Sequence, residues 1–280
     1  MPYTITQTRT PSTDHSARRE GFGAPHRLLV EMAVTPEEIR ASYQLRHQIF
    51  VQELGAKMAN PSAKGVESDD LDSFCHHLVV RDLDTQAVVA CTRILTDTQA
   101  KVAGGFYSAN EFDLGSIAHI HGRVMEIGRT CVHPDYRNGA TIGTLWSGLA
   151  QFMEINRFAH LMGCASIPMN DGGLLARQIL KQIGSKYALP DHLTISSKRD
   201  LPPLSSDLPP PTELKIPPLL KAYLRLGASM GQEPYWDEDF NTADVFIWLD
   251  RANLQKRYLR HFVQRKETQR PDRFIGRFAA

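Results

Sequence analysis

Val124-Met125-Glu126-Ile127-Gly128-Arg129-Thr130-Cys131-Val132-His133-Pro134-Asp135-Tyr136-Arg137-Asn138-Gly139 runs straight into the apolar stretch from Ile142 to Ala150, and this join decides the fold. Val124, Ile127 and Val132 read as a strand that Pro134 ends. Arg137-Asn138-Gly139 then makes a tight turn into a helix carrying Leu145, Trp146, Leu149, Phe152 and Met153 at helical spacing. Such a turn can bind an anion, because the first amides of a helix lack internal partners and glycine lets the backbone approach a ligand. Arg137 adds a fork of donors suited to phosphate. Many strand-to-helix junctions carry Gly and Arg for structural reasons alone, so the turn by itself leaves both readings open.

Around this join lies a chain of 280 residues, 42% of them apolar, enough for one well-buried domain with additions or for two small ones; one is expected. The net charge of +1 gives no overall reason to propose nucleic acid. Cys75, Cys91, Cys131 and Cys164 are scattered without metal-ligand spacing and read as buried thiols of a reducing compartment. The N-terminal segment has no apolar core of signal-peptide length, and no run approaches the roughly 18 apolar residues of a membrane span. A cytoplasmic protein is expected.

Residues 1–24 are rich in Thr, Ser, Arg and Gly and read as a disordered arm; the folded domain is expected over 25–250, followed by a basic helix and tail over 251–280. His26 to Val34 reads as a first strand. Thr35-Pro36-Glu37-Glu38 reads as an N-cap with proline at the first helical position, opening a helix with Ile39, Tyr43, Arg46, Ile49 and Phe50. Arg46 and Phe50 are four apart and share a face, where the arginine either snorkels to water or reaches into a site. The acidic cluster Glu67-Ser68-Asp69-Asp70-Leu71-Asp72 leads into a strand from Cys75 to Arg81 and is expected at a sheet edge. Val88 to Leu95 reads as its antiparallel partner, with Arg93 interrupting the apolar pattern. Phe106 to Asp113 reads as a short helix.

Beyond the organising join, His160 to Ile167 reads as a buried strand and Gly173 to Ile183 as a helix stopped at Gly184. The proline-rich stretch within 201–218 can be neither helix nor central strand, since proline lacks the donor, and is expected as an exposed loop inside the domain. Pro217 to Ala228 reads as an amphipathic helix and Thr242 to Leu249 as the last strand. Antiparallel strands alternating with crossover helices give a mixed α/β sheet, mostly antiparallel and flanked by helices.

The wording Val132-His133-Pro134-Asp135-Tyr136-Arg137-Asn138-Gly139 resembles the cofactor-binding signature of the GNAT acetyltransferase fold, in which an acyl donor lies along a splayed central strand. The family's second glycine is displaced here, with Ala140 after Gly139. More specifically, Phe106 to Asp113, Glu126 to Pro134, Leu145 to Leu149, Gly163 to Ser166, Tyr223 to Ala228 and Phe240 to Val245 together resemble the bacterial ornithine N-acyltransferases that make lyso-ornithine lipid. That resemblance implies transfer of a 3-hydroxyacyl chain from acyl carrier protein to the α-amine of ornithine. A more distant similarity to the acyl-homoserine lactone synthases rests on Arg46-x-x-x-Phe50, Asp69-x-x-Asp72, Arg93 and Glu126-x-x-Arg129; the tryptophan those synthases carry after the first motif has no counterpart between Phe50 and Gly65.

Carried over residue by residue, the resemblance makes Glu126 and Arg129 the catalytic candidates. Arg46, Phe50, Asp69, Asp72 and Arg93 become the candidates for binding substrate, and Val132, Arg137, Asn138 and Gly139 those for binding the acyl donor. Aminolysis of a thioester needs a proton removed from the amine and an oxyanion stabilised. Glu126 with Arg129 nearby can take the proton, directly or through water, or the two can form a self-satisfying buried ion pair. A backbone N–H of the splayed strand is the expected oxyanion donor, and no acyl-enzyme on Cys131 or Cys164 is required. No resident cofactor is expected, only the transient phosphopantetheine arm, and no metal: His76-His77 and His119-Ile120-His121 have too few partners. The alternatives are an N-acyl amino acid synthase for lysine, glutamine or an aromatic amine, and a non-catalytic sensor that binds acyl carriers.

Arg251 to Arg277 holds nine basic residues against Glu267 and Asp272, a net of +7 in a chain whose total is +1. Leu254, Tyr258, Leu259, Phe262 and Val263 recur there at helical spacing, giving an apolar face beside a cationic one. Such a segment suits an acidic carrier protein or the anionic inner membrane as a peripheral contact. The carrier is the preferred partner, since it must dock in every turnover.

Overall fold

The computed structural model describes residues 26–57, 65–204 and 214–254. The expected arm at 1–24, half of the proline-rich loop and nearly all of the basic tail lie outside them.

The chain opens with β1 (Leu28–Ala33) and α1 (Pro36–Arg46). Thr35 caps α1 as the sequence implied: its hydroxyl accepts from the Glu38 amide while the Glu38 carboxylate accepts from the Thr35 amide. A π-helical turn, His47–Glu53, follows and breaks the i,i+4 spacing expected to align Arg46 with Phe50. Then come β2 (His76–Asp82), β3 (Val88–Thr96), α2 (Asp97–Ala103), the short β4 (Phe112–Asp113) and β5 (Arg123–Val132). The remaining elements are α3 (Gly139–Ile155), β6 (Phe158–Pro168), α4 (Leu174–Ile183), β7 (Ser196–Ser197), α5 (Pro218–Leu226), β8 (Ser229–Met230), β9 (Tyr235–Asp237) and β10 (Thr242–Asp250). No helix among the described residues is long and apolar enough to cross a membrane.

Eight strands form one sheet in the order β1-β2-β3-β5-β6-β10-β8, with β9 beside β10. Every pair is antiparallel except β5 and β6, which α3 connects as a parallel crossover. Alternation along β2 divides the core: Leu78 and Val80 pack in the cluster with Leu145, Leu149 and Phe152 of α3, whereas Val79 packs with Leu45 of α1 and Ile49. With a helix on each face, the middles of β2 and β3 are buried on both sides, which is why Leu78-Val79-Val80 and Val88-Val89-Ala90-Cys91 run without a polar break.

Two expectations are corrected. Phe106 to Asp113 is a 3-10 turn, Tyr107–Asn110, running into β4, because Phe112 is buried against Phe246 and Trp248 while β4 pairs with β7. The acidic cluster is not at a sheet edge: β2 lies between β1 and β3, and Glu67 and Asp72 are buried.

Candidate active site

The site begins where two neighbouring strands part. β5 pairs with β6 from Arg123, and that register ends at Ile127 opposite Gly163. On its other edge β5 meets β3 with a slip: Arg93 faces Gly128 and Cys91 faces Cys131, so Arg129 and Thr130 together oppose Thr92. The extra residue is a bulge, and Arg129 takes it up at φ 52°, the left-handed region that a side chain enters only at a cost. The bulge accompanies the departure of β5 from β6 and leaves residues 128–132 open on one edge. These residues line a cleft of about 750 Å³ that passes through the sheet. Phe50, Leu71, Arg93 and Glu126 wall it toward α1, and Trp146, Leu219, Ala222 and Leu226 of α3 and α5 wall it on the far side. The splayed central strand expected from the sequence is this one.

Beside the bulge lies a compact charge network. Arg46, 1% exposed, clasps both oxygens of Asp72 at 2.6 and 2.9 Å and also donates to Glu67. It therefore does not snorkel to water. Arg93 donates to Asp69 at 2.6 Å and Asp72 at 3.2 Å, and Arg129 to Glu67 at 3.2 Å and Asp69 at 3.1 Å. Three arginines thus meet three carboxylates. Burial alone would push Asp72 up, but its bonds to Arg46 and the field of Arg93 outweigh this and hold it at about 2. The Arg129 guanidinium also lies 5.1 Å from the Tyr107 ring centre and 5.0 Å from that of Phe240, against which Phe50 packs edge-on. One nitrogen of Arg93, Nη2, is buried with no hydrogen-bond partner among the described residues.

Glu126 is not paired with Arg129. Its carboxylate accepts from the amides of Tyr107 at 2.6 Å and Ser108 at 2.7 Å, and from the Ser108 hydroxyl. It thereby caps the orphan amides of the 3-10 turn, which is what holds Tyr107–Asn110 across the strand. Burial raises the Glu126 pKa, and the Ser108 and Tyr107 donors offset only part of the rise. A buried, basic carboxylate in a cleft wall can take a proton from a bound amine.

Ser108 Oγ also lies 3.3 Å from Cys164 Sγ. Past Cys164, oxygens of Glu111, Asp237 and Asp244 gather within 4.8 Å of one another. Burial first, then the field of Asp244, pushes Glu111 up to about 8; burial pushes Asp244 up to about 6. Burial also raises Cys164 and Cys131 well above the ordinary thiol value, so these sulfurs stay protonated and unsuited to nucleophilic attack.

The turn expected to take the donor's phosphate lines the same cleft through Val132, Arg137, Asn138 and Gly139, but its arginine fork and two of its first helix amides are engaged within the protein. Asn138 Oδ1 accepts from the amides of Ala140 and Thr141, and both terminal nitrogens of Arg137 hold Glu53 at 2.7 and 2.6 Å. Arg46, Asp69, Asp72, Arg93 and Arg129 come together as the sequence grouped them. The sequence reading passed over Glu67, Tyr107, Ser108, Glu111, Asp237 and Asp244. Charge balance could have found Glu67, since three grouped arginines call for a third acid.

The parted strands, the bulge and the cleft define a GNAT-type acyltransferase, and an acetyltransferase (GNAT) domain family matches residues 45–147. Among solved structures, FeeM, an N-acyl amino acid synthase from uncultured soil microbes, superposes with a TM-score of 0.50 at 10% identity, covering 82% of this chain and 95% of that one. BjaI, a CoA-dependent acyl-homoserine lactone synthase, gives a TM-score of 0.50 at 16% identity over 88% and 92%. The chain is 32% identical over 270 residues to the L-ornithine N(alpha)-acyltransferase of Agrobacterium fabrum, covering 90% of this chain and 91% of that one. It is 33% identical over 259 residues to that of Rhodobacter capsulatus, covering 87% and 98%. The chain belongs to the L-ornithine N(alpha)-acyltransferase family.

Proposed function

We propose that this protein transfers a 3-hydroxyacyl chain from acyl carrier protein to the α-amine of ornithine, forming lyso-ornithine lipid, with no resident cofactor or metal. The observation that carries the reading is Glu126: a buried carboxylate of raised basicity in the cleft wall, where β5 leaves β6. The names of the relatives supply the acceptor.

The carrier's phosphopantetheine arm lies along the open edge of β5, bringing the thioester carbonyl to the splay. The amine nitrogen attacks the carbonyl carbon, and a backbone N–H of residues 128–132 stabilises the oxyanion. Glu126 takes the amine's proton, directly or through one water. The C–S bond then breaks, the amide forms, and the departing sulfur receives the proton to leave as the carrier thiol. Arg46, Arg93 and Arg129 with Glu67, Asp69 and Asp72 form a neutral, rigid wall beside this centre. The engagement of Arg137 by Glu53 supports a carrier donor over CoA, since a fork so occupied is not presented to a pyrophosphate. The basic segment from Arg251 to Arg277 would dock the acidic carrier.

Glu126→Gln tests this reading. Single-turnover thiol release is expected to fall by roughly 10²- to 10⁴-fold, the usual worth of a positioned base. Its melting temperature is measured alongside, because the amide NH₂ would meet the Tyr107 and Ser108 donors. The wild-type pH–rate profile is expected to decline on the acid side as Glu126 takes up a proton. A folded variant with the wild-type rate sinks the assignment.

A further inference from the structure

The carboxylates of Glu67, Asp69 and Asp72 each hold an arginine. Those of Glu111, Asp237 and Asp244 form no salt bridge with a lysine or arginine among the described residues; the nearest cationic influence is the field of Arg129 on Asp244, which ranks behind burial. Among the described residues the Thr242 hydroxyl donates to Asp244 at 3.0 Å, Ser166 lowers the same carboxyl, and Tyr107 and the Cys164 thiol lie against Glu111. Glu111 is 2% exposed, and its Oε2 is buried with no hydrogen-bond donor among the described residues. A buried carboxylate oxygen left unpaired costs stability, and this one sits among two further acids. Asp237 and Asp244 line the cleft in front of it, so the cluster is one donor-rich cation short and open on the cleft side.

We propose that Glu111, Asp237 and Asp244 bind the side-chain ammonium of a diamino acid acceptor and so select it over neutral amino acids, an inference that rests on the acyltransferase reading above. Three acceptors around a tetrahedral ammonium, each at about 2.9 Å, lie about 4.7 Å apart, compatible with oxygens within 4.8 Å of one another. The cluster also lies near the base: Ser108 donates to Glu126 and sits 3.3 Å from the Cys164 sulfur, which in turn lies against Glu111. The two nitrogens of a diamino acid with three side-chain methylenes are joined by five bonds, about 6 Å when extended. With the distal ammonium in the cluster, such a chain would carry the α-amine toward Glu126.

The test is calorimetric titration of the full-length protein with L-ornithine and with L-norvaline, which lacks only the distal amine, in the presence of a chelator. Wild type is expected to bind ornithine at least tenfold tighter than norvaline. Glu111→Gln and Asp244→Asn are expected to bring that ratio toward one while norvaline affinity stays within about twofold, which also shows the variants are folded. Equal wild-type affinities, no measurable ornithine binding, or an unchanged ratio in the variants overturns the proposal. So does a preference that chelator abolishes and Mg²⁺ or Mn²⁺ restores, since the cluster would then hold a metal. Selective ornithine binding without acyl transfer would defeat the function and keep the pocket; transfer to ornithine with an unchanged ratio would defeat the pocket alone.

Discussion

Replacing Arg46 by Met removes the one guanidinium that serves both Glu67 and Asp72 from a site 1% exposed. Breaking a buried pair by deleting one partner costs about 3–5 kcal/mol, because the other charge stays behind uncompensated. Here each orphaned carboxylate keeps a second arginine, Arg93 on Asp72 and Arg129 on Glu67, both at 3.2 Å, so the lower end applies: about 3 kcal/mol. At about 2–4 °C per kcal/mol for a chain of this size, the melting temperature should drop by about 6–12 °C. The acid limb of the stability profile gives a second reading. Asp72 is held at about 2, below its unfolded value, so it adds stability above pH 4 that is lost as pH falls toward 2. A shift of that size is worth about 2.6 kcal/mol, and most of it should vanish from the acid limb of the variant. Urea midpoints of both proteins between pH 3 and 7 measure this. A loss below about 1 kcal/mol at pH 7, the scale of an exposed pair, with an unchanged acid limb, would refute a charge-compensated buried network.

Glu111 sits at about 8, above its ordinary 4.5, so the folded state holds a proton the unfolded state has lost, and stability falls as pH rises through that window. Glu111→Gln should therefore be more resistant to urea than wild type at pH 8 and nearly equal to it at pH 4.5; equal midpoints at pH 8 would contradict the burial argument. Gly148 brings α3 onto the sheet, where an added Cβ would lie 2.5 Å from Val30 Cγ2 and 3.1 Å from a Leu78 methyl. Gly148→Ala should cost about 1–3 kcal/mol by overpacking, read as a lowered melting temperature. The Michaelis constant for acyl carrier protein should rise with salt, and further when Arg260, Arg265 and Lys266 are changed to Glu, with that for the amine unmoved. A reversed variant that keeps its carrier affinity but no longer sediments with anionic vesicles would make the tail a membrane contact instead.

What was legible in the sequence was local. The strand, turn and helix around Pro134, the capping box at Thr35, the hairpin of β2 and β3 and the stop at Gly184 follow from periodicity and capping within a dozen residues. The grouping of Arg46, Asp69, Asp72, Arg93 and Arg129 was legible through resemblance, and the contacts agree. What was missed depends on distant register. Glu126 meets Tyr107 and Ser108 rather than Arg129, because the bulge turns Arg129 toward Glu67 and Asp69. Nothing in the local pattern marks a left-handed arginine inside a strand. Glu111 reaches Asp237 and Asp244 only because β9 and β10 pair beside β6, a juxtaposition across more than half the described chain. The π-helical turn after Arg46 is likewise silent in a sequence that reads as one continuous helix.

Acyl transfer to ornithine is measured by incubating the purified protein with 3-hydroxyacyl carrier protein and L-ornithine, following carrier thiol release and locating the acyl group on the product by mass spectrometry. One Nα-acyl-ornithine per thiol released is expected, with matched acyl-CoA used far less well. No acylated ornithine from either donor, or acylation at the side-chain amine, would contradict this expectation.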